Sequence, residues 1–199
     1  DPALRARLEN VLESAWAVIG QHAGSLPTQV IHGDLTDDNV VTSDPITRFP
    51  DGLIDLGDLA VSWTIAELAI TLSSLLHHDG ITLPAALGAA SAYHQVRPLT
   101  DAEVAVLWPL VVARAVVLVV SAHQVIADDP GNVYAEDNLA HELLILDAAT
   151  SVPLAVGTAL VRAAVGQERA SITAPTGAPL CEVSPLVMLD FSPTSEALD

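Results

Sequence analysis

His32-Gly33-Asp34-Leu35-Thr36-Asp37-Asp38-Asn39, followed by Leu53-Ile54-Asp55-Leu56-Gly57-Asp58, is the stretch on which the reading of the whole chain turns. It sets down a carboxylate, an amide five positions later, and a second carboxylate after a short gap, each in a strand or turn setting. Phosphoryl transfer uses that inventory: one carboxylate orients a hydroxyl, while an amide oxygen and another carboxylate hold Mg²⁺. Asp34 is the candidate base, positioned to accept or orient the hydroxyl proton. Asn39 and Asp55 are the candidate metal ligands. Taken singly, Asp34 reads as a turn or capping residue, Asn39 as a turn residue and Asp55 as a strand end. The spacing of the three together is what outweighs those readings. Gly57 permits a turn that brings Asp55 towards Asp34. With no cation nearby the two carboxylates repel, so a divalent ion is expected to settle the site.

Outward from this stretch, Gln29-Val30-Ile31-His32, Val40-Val41-Thr42 and Leu53-Ile54 are short β-type runs separated by turn chemistry at Ser43-Asp44-Pro45 and Pro50-Asp51-Gly52. Upstream, Leu4, Leu8, Val11, Leu12, Ala15, Trp16 and Ile19 recur at helical spacing behind a first-turn Pro2. Downstream the pattern is helical over Trp63 to His77, Pro84 to Gln95, Asp101 to about Ala127, Ala135 to Thr150 and Pro153 to Val165. Thr82, Thr100 and Ser151 are expected caps. Pro109 either kinks the long helix or marks a junction between two. From Gly166 onward, four prolines interrupt a tail that holds one strand-like patch, Leu186-Val187-Met188-Leu189.

Composition narrows the class. The chain has 199 residues, is 51% hydrophobic and only 4% aromatic, so Ala, Val and Leu build the interior and packed helices are favoured. Its formal charge is −18, and all seven of its basic residues are Arg. Such a surface lacks the clustered cations that nucleic acid or an anionic membrane requires, and it suits a cationic substrate or Mg²⁺. A single Cys181 forms no internal disulfide, which suits a reducing, cytoplasmic setting and equally a disulfide-free secreted domain. The apolar run Val104 to Ile126 contains Pro109, Arg114 and His123 and reads as a buried helix rather than a membrane span.

The H-G-D-x-x-x-x-N plus I-D-x-G-D wording at His32–Asn39 and Ile54–Asp58 resembles the aminoglycoside phosphotransferase and choline kinase superfamily. That is the small-molecule branch of the kinase-like fold, and protein kinases write the same spacing as H-R-D-x-x-x-x-N and D-F-G. Ile31 to Val41, Gly52 to Leu59 and Ser62 to Ile70 are similar to one subgroup. It comprises phosphotransferase domains fused to class III pyridoxal-phosphate aminotransferases or phospholyases, together with hydroxylysine kinases. The resemblance implies a mainly α (α+β) fold: a kinase-like C-terminal lobe, a helical bundle with a small β-ribbon carrying the catalytic and metal loops. It implies transfer of the γ-phosphate of ATP or GTP, with Mg²⁺, to a hydroxyl of an amino alcohol or aminoglycoside-like substrate. Leu56 departs from the commoner Phe.

Only 31 residues precede His32, and the chain holds neither Lys nor a G-x-G-x-x-G phosphate loop. Residues 1–166 are therefore expected to be a C-terminal lobe without its nucleotide lobe. Residues 167–199 are expected to be a linker towards a further domain, an aminotransferase or phospholyase among those the resemblance suggests. The lobe by itself is expected to be poorly active. A catalytically inactive pseudokinase or docking domain is the alternative.

Other residues are read beside these. His32 is expected to orient the catalytic loop through ring hydrogen bonds. Asp37 and Asp38 meet a cationic substrate or a second metal, or stay hydrated. Asp58 caps the loop that follows it or meets a ligand. Tyr134, Glu136 and Asp137 face an ammonium group by charge and cation–π contact, or belong to a polar interhelix loop. Glu67, among apolar neighbours, needs an Arg or backbone partner, and Arg114 is the expected Arg. His77 and His78, read as adjacent residues of a helix, point to different sides.

Overall fold

A computed structural model of the chain describes residues 1–44, 46 and 49–167. The tail expectations, including Cys181 and the patch at 186–189, lie outside the described residues. Helix α1 (Pro2–His22) leads into β1 (Thr28–Ile31), β2 (Val40–Val41), β3 (Gly52–Leu53) and β4 (Ala60–Trp63). Helices α2 (Thr64–Leu75), α3 (Leu83–Val96), α4 (Asp101–Asp128), α5 (Val133–Ala149) and α6 (Leu154–Ala164) follow. The described chain is thus mainly helical with small ribbons, as the resemblance implies for a kinase-like C-terminal lobe.

Helix α4 is the centre of the bundle, with α1, α2, α5 and α6 packed on it. It starts at a full capping box: Glu103 donates its N–H to the Thr100 hydroxyl at 3.2 Å, and the Glu103 carboxylate accepts the Thr100 N–H at 2.9 Å. Glu103 is completely buried yet balanced by Arg97 at 2.9 Å. By length and composition α4 is apolar enough to cross a membrane, but 67% of its most apolar window is buried inside the protein. Its core face, including Val104, Leu107, Trp108, Val111, Ala115 and Val119, accounts for that burial. The helix runs unbroken through Pro109, itself buried, so packing from several neighbours outweighs the lost backbone hydrogen bond.

Close approach fixes how α6 sits. A Cβ at Gly157 would lie 2.1 Å from the Trp108 ring, so only glycine allows α6 this near to α4. Thr82 caps α3 as expected, accepting the Ala85 N–H at 3.4 Å. The expected Ser151 cap of α6 is not made, because the Ser151 hydroxyl donates back to the Ala148 carbonyl at the end of α5.

The strands form two separate antiparallel ribbons. β1 pairs with β4 in the register Thr28↔Trp63 to Ile31↔Ala60, and β2 pairs with β3 through Val40↔Leu53 and Val41↔Gly52. β4 has no counterpart in the sequence expectation, since the expected helix begins at Trp63 and overlaps the end of the short strand. Ribbon β1–β4 spans from the end of α1 to the start of α2, and the Trp16 and Trp63 rings meet there at 6.3 Å. Val30 and Val61 oppose one another across it and are 64% and 75% exposed. Leu53, Ile54, Leu56 and Leu59 add to that exposed apolar surface.

Candidate active site

The loop after β1 is held from beneath by α2. The Glu67 carboxylate, in the first turn of α2, accepts the backbone N–H groups of His32, Gly33 (3.2 Å) and Leu35 (3.2 Å). One turn later the Thr71 hydroxyl donates to the Leu35 carbonyl at 2.8 Å. Glu67 therefore has backbone partners rather than the expected Arg114. The loop has nothing regular to pair with, so its donors would be orphaned without this carboxylate. Gly33 has φ +85° and sits against Asp58, whose carbonyl oxygen would be 2.5 Å from an added Cβ. Only glycine lets those two loops touch.

His32 connects the same loop to the second motif. Its Nε2 donates to the Ile54 carbonyl at 2.8 Å, an assignment that follows because a carbonyl only accepts. The Ile54 N–H in turn donates to the Asn39 carbonyl at 3.1 Å. The residue before Asp55 is thereby tied to both His32 and Asn39. Asp55 has φ 57° and ψ 65°, and among the described residues no other non-glycine residue has positive φ. The turn that Gly57 was expected to provide thus falls on Asp55. An added Cβ at Gly57 would meet only the Asp55 Oδ1, at an ordinary 3.4 Å. Aspartate tolerates the left-handed region better than most residues, and a strained position of this kind is typical of ligand sites.

Asp34 is held from two sides. Arg114 Nη2 donates to Oδ1 at 2.7 Å, and Asn39 Nδ2 donates to the Asp34 carbonyl at 2.8 Å and to Oδ2 at 3.2 Å. The expectation of a site with no cation nearby is therefore replaced by an ion pair from α4, 80 residues along the chain. With Nδ2 committed to Asp34, the amide oxygen of Asn39 is the end left for a ligand. An amide oxygen and a carboxylate are oxygen donors of the kind Mg²⁺ selects, so the chemistry of Asn39 and Asp55 fits this ion.

Asp34 and Arg114 lie in a cleft of about 270 Å³ between the loop after β1, α2, α4 and α5. Asp37, Asp38 and Tyr134 also line it, and Tyr134 is largely exposed. Glu136 and Asp137 do not line it; they lie exposed on α5, and Asp58 is likewise outside. In their place α5 presents Asn138, His141 and Glu142, with Ile145 below. Counting by helical spacing from Tyr134 would have found these positions. Glu142 is half-buried, its Oε2 meets no donor among the described residues, and burial raises its pKa to about 7 against the opposing charge of Arg114. Arg114 thus stands between two carboxylates, bonded to one and acting on the other through space.

Part of the chain is similar to known phosphotransferases. The model of the phosphotransferase enzyme family, APH, matches residues 1–99. Homoserine kinase of Gluconobacter oxydans (strain 621H) is 36% identical over 106 residues, 52% of this chain and 31% of that protein. Homoserine kinase of Rhodospirillum rubrum is 35% identical over 108 residues, 53% of this chain and 32% of that protein. The match therefore spans about a third of the length of these relatives. No solved structure matches. Nothing in these findings supports an aminotransferase or phospholyase as a fused partner.

Proposed function

We propose that this chain, whose residues 1–99 match the model of the phosphotransferase enzyme family, is the acceptor-binding, catalytic lobe of a kinase for a small amino alcohol. The observation that carries the reading is the Asp34 carboxylate, fixed by Arg114 and Asn39 at the wall of a compact cleft. In this reading an acceptor hydroxyl enters the cleft and gives its proton to Asp34. Its oxygen forms the new O–P bond as the bond between the terminal phosphorus and the bridging oxygen breaks, and a nucleoside diphosphate leaves. Asn39 and Asp55 would hold Mg²⁺, which when bound offsets phosphate charge and aligns the phosphate oxygens. The nucleotide is ATP or GTP.

The acceptor is expected to be compact, because the cleft lies at or below the ~300–1,000 Å³ usual for ligand pockets. Tyr134, Asp37, Asp38 and Glu142 suit an ammonium group. Homoserine, the substrate in the names of both relatives, carries a hydroxyl and an ammonium on four carbons and is the first compound to try. The exposed apolar residues Val30, Val61, Ile54 and Leu56 support a place for a nucleotide-binding lobe over the ribbons. In the cytoplasm both nucleotide and Mg²⁺ would be at hand. The test is a screen of small hydroxy-amines with the full-length protein, ATP or GTP and Mg²⁺, reading phosphorylated product by mass spectrometry. A phosphomonoester of homoserine or a near analogue is expected. Nucleotide hydrolysis without any phosphorylated acceptor would overturn the reading.

A further inference from the structure

His77 and His78 lie beyond the end of α2. The helix closes at Leu75, and the Leu76 N–H bonds to the Ser73 carbonyl. The following residues turn through His78 N–H to Leu75 O at 3.4 Å and Ile81 N–H to His78 O at 3.1 Å, with Gly80 at φ +77°. Adjacent side chains in such a turn are not forced apart as they would be in a helix, and the expectation that these two diverge fails. Their rings lie side by side, centroids 4.2 Å apart and planes 34° from parallel.

The rings lie beside Asp37 of the loop after β1. His78 Nε2 donates to Asp37 Oδ2 at 2.8 Å. Asp37, His77 and His78 each offer one ligand atom, and those atoms lie within 4.8 Å of one another. Nδ1 of His77 is buried and has no hydrogen-bond partner among the described residues. A buried ring nitrogen without a partner is a polar group still to be satisfied in this cluster. Asp37 and His77 both line the cleft that contains Asp34.

We propose that Asp37, His77 and His78 form a second cation site, selective for a borderline first-row divalent ion such as Zn²⁺ and separate from the oxygen-only Mg²⁺ site. Zinc bonds of about 2.0–2.2 Å in a tetrahedral site place neighbouring ligand atoms about 3.3 to 3.6 Å apart, so modest ring rotation closes the observed cluster onto an ion. Imidazole suits Zn²⁺, Ni²⁺ or Cu²⁺ far better than Mg²⁺, which prefers oxygen and retains its water. Three protein ligands leave one tetrahedral position for water or a ligand. Binding would replace the His78–Asp37 hydrogen bond with a cross-link between the turn after α2 and the loop that carries Asp34 and Asn39. The site rests on these three side chains and not on the role given to Asp34.

The experiment is calorimetric titration of ZnCl₂ into the chain, with any purification tag removed and Mg²⁺ in millimolar excess to occupy oxygen-only sites. One equivalent is expected to bind. His77→Gln and His78→Gln should each weaken it by more than about tenfold, since even residues behind the ligands of such sites contribute 10–100-fold. His123→Gln, elsewhere on α4, and Asp55→Asn should leave it unchanged. On the wild-type protein, NMR with substoichiometric Zn²⁺ should perturb the His77 and His78 ring signals before those of the other histidines. Absence of Zn²⁺ binding, binding that survives both triad histidine substitutions, or first perturbation of other histidines would overturn the proposal. Circular dichroism confirms that each variant is folded, and the wild-type NMR result stands whatever a variant does.

Discussion

Glu67→Ala tests how the loop that carries Asp34 is built. The side chain accepts three backbone N–H groups, from His32, Gly33 and Leu35, and the substitution removes all three acceptor contacts at once. A hydrogen bond to a charged group contributes about 1.5–3 kcal/mol, which would give roughly 5–9 kcal/mol if the three were independent. They share one half-buried carboxylate, and water can reach part of the loop once the side chain is gone. A net loss of about 2–4 kcal/mol is the expected result, near the upper range for single substitutions. For a domain of this size that corresponds to a fall in Tm of about 4–16 °C. Urea unfolding gives the global figure, and hydrogen exchange gives the local one: the amides of His32, Gly33 and Leu35 should lose protection while those of α4 keep theirs relative to global stability. Glu67→Gln, which keeps one acceptor oxygen, should lose less than half as much. A stability within about 0.5 kcal/mol of wild type, the range of inconsequential surface changes, would refute the claim that Glu67 holds the loop.

Gly157→Ala places a methyl group into the Trp108 ring, so it should destabilise the chain by about 1–3 kcal/mol in urea unfolding. Arg114→Met keeps packing volume but removes the guanidinium from Asp34; because both groups are partly exposed, a loss of about tenfold in turnover is expected, at the low end for such a bond. Glu142 has a pKa of about 7 in the folded chain against 4.5 ordinarily. The folded state thus binds more protons than the unfolded one between these values, and the contribution of Glu142 to stability should decline as pH rises from 4.5 through 7, then level off. Denaturation midpoints of wild type and Glu142→Gln across that window check this, with the difference shifting in favour of the variant as pH rises.

Much of the fold was legible because its signals are local. Thr100 and Glu103 announce the start of α4 within four residues, and Thr82 with Pro84 does so for α3. The apolar period of Val104 to Val119 needed no tertiary information. β4 was hidden because a four-residue strand abutting a helix has too few residues to show its own alternation. In the candidate site, spacing alone brought His32, Asp34, Asn39 and Asp55 into one reading. The partners came from tertiary contact: Arg114 reaches Asp34 from 80 residues away, and sequence offered no means to choose Asp34 over Glu67 for it. His77 and His78 were misread for a different reason. Helical periodicity was extended two residues past the true end of α2, and that small error reversed the inferred direction of one ring.

The central claim is that Asp34 takes the proton of the acceptor hydroxyl, and Asp34→Asn in the full-length protein tests it most directly. The exchange keeps the size of the side chain and removes the basic oxygen. Steady-state phosphorylation of homoserine should fall by about 10²–10⁴-fold, the usual contribution of a positioned acid or base, while the nucleotide Kd stays within about twofold of wild type. Turnover close to wild type in that variant would contradict the account.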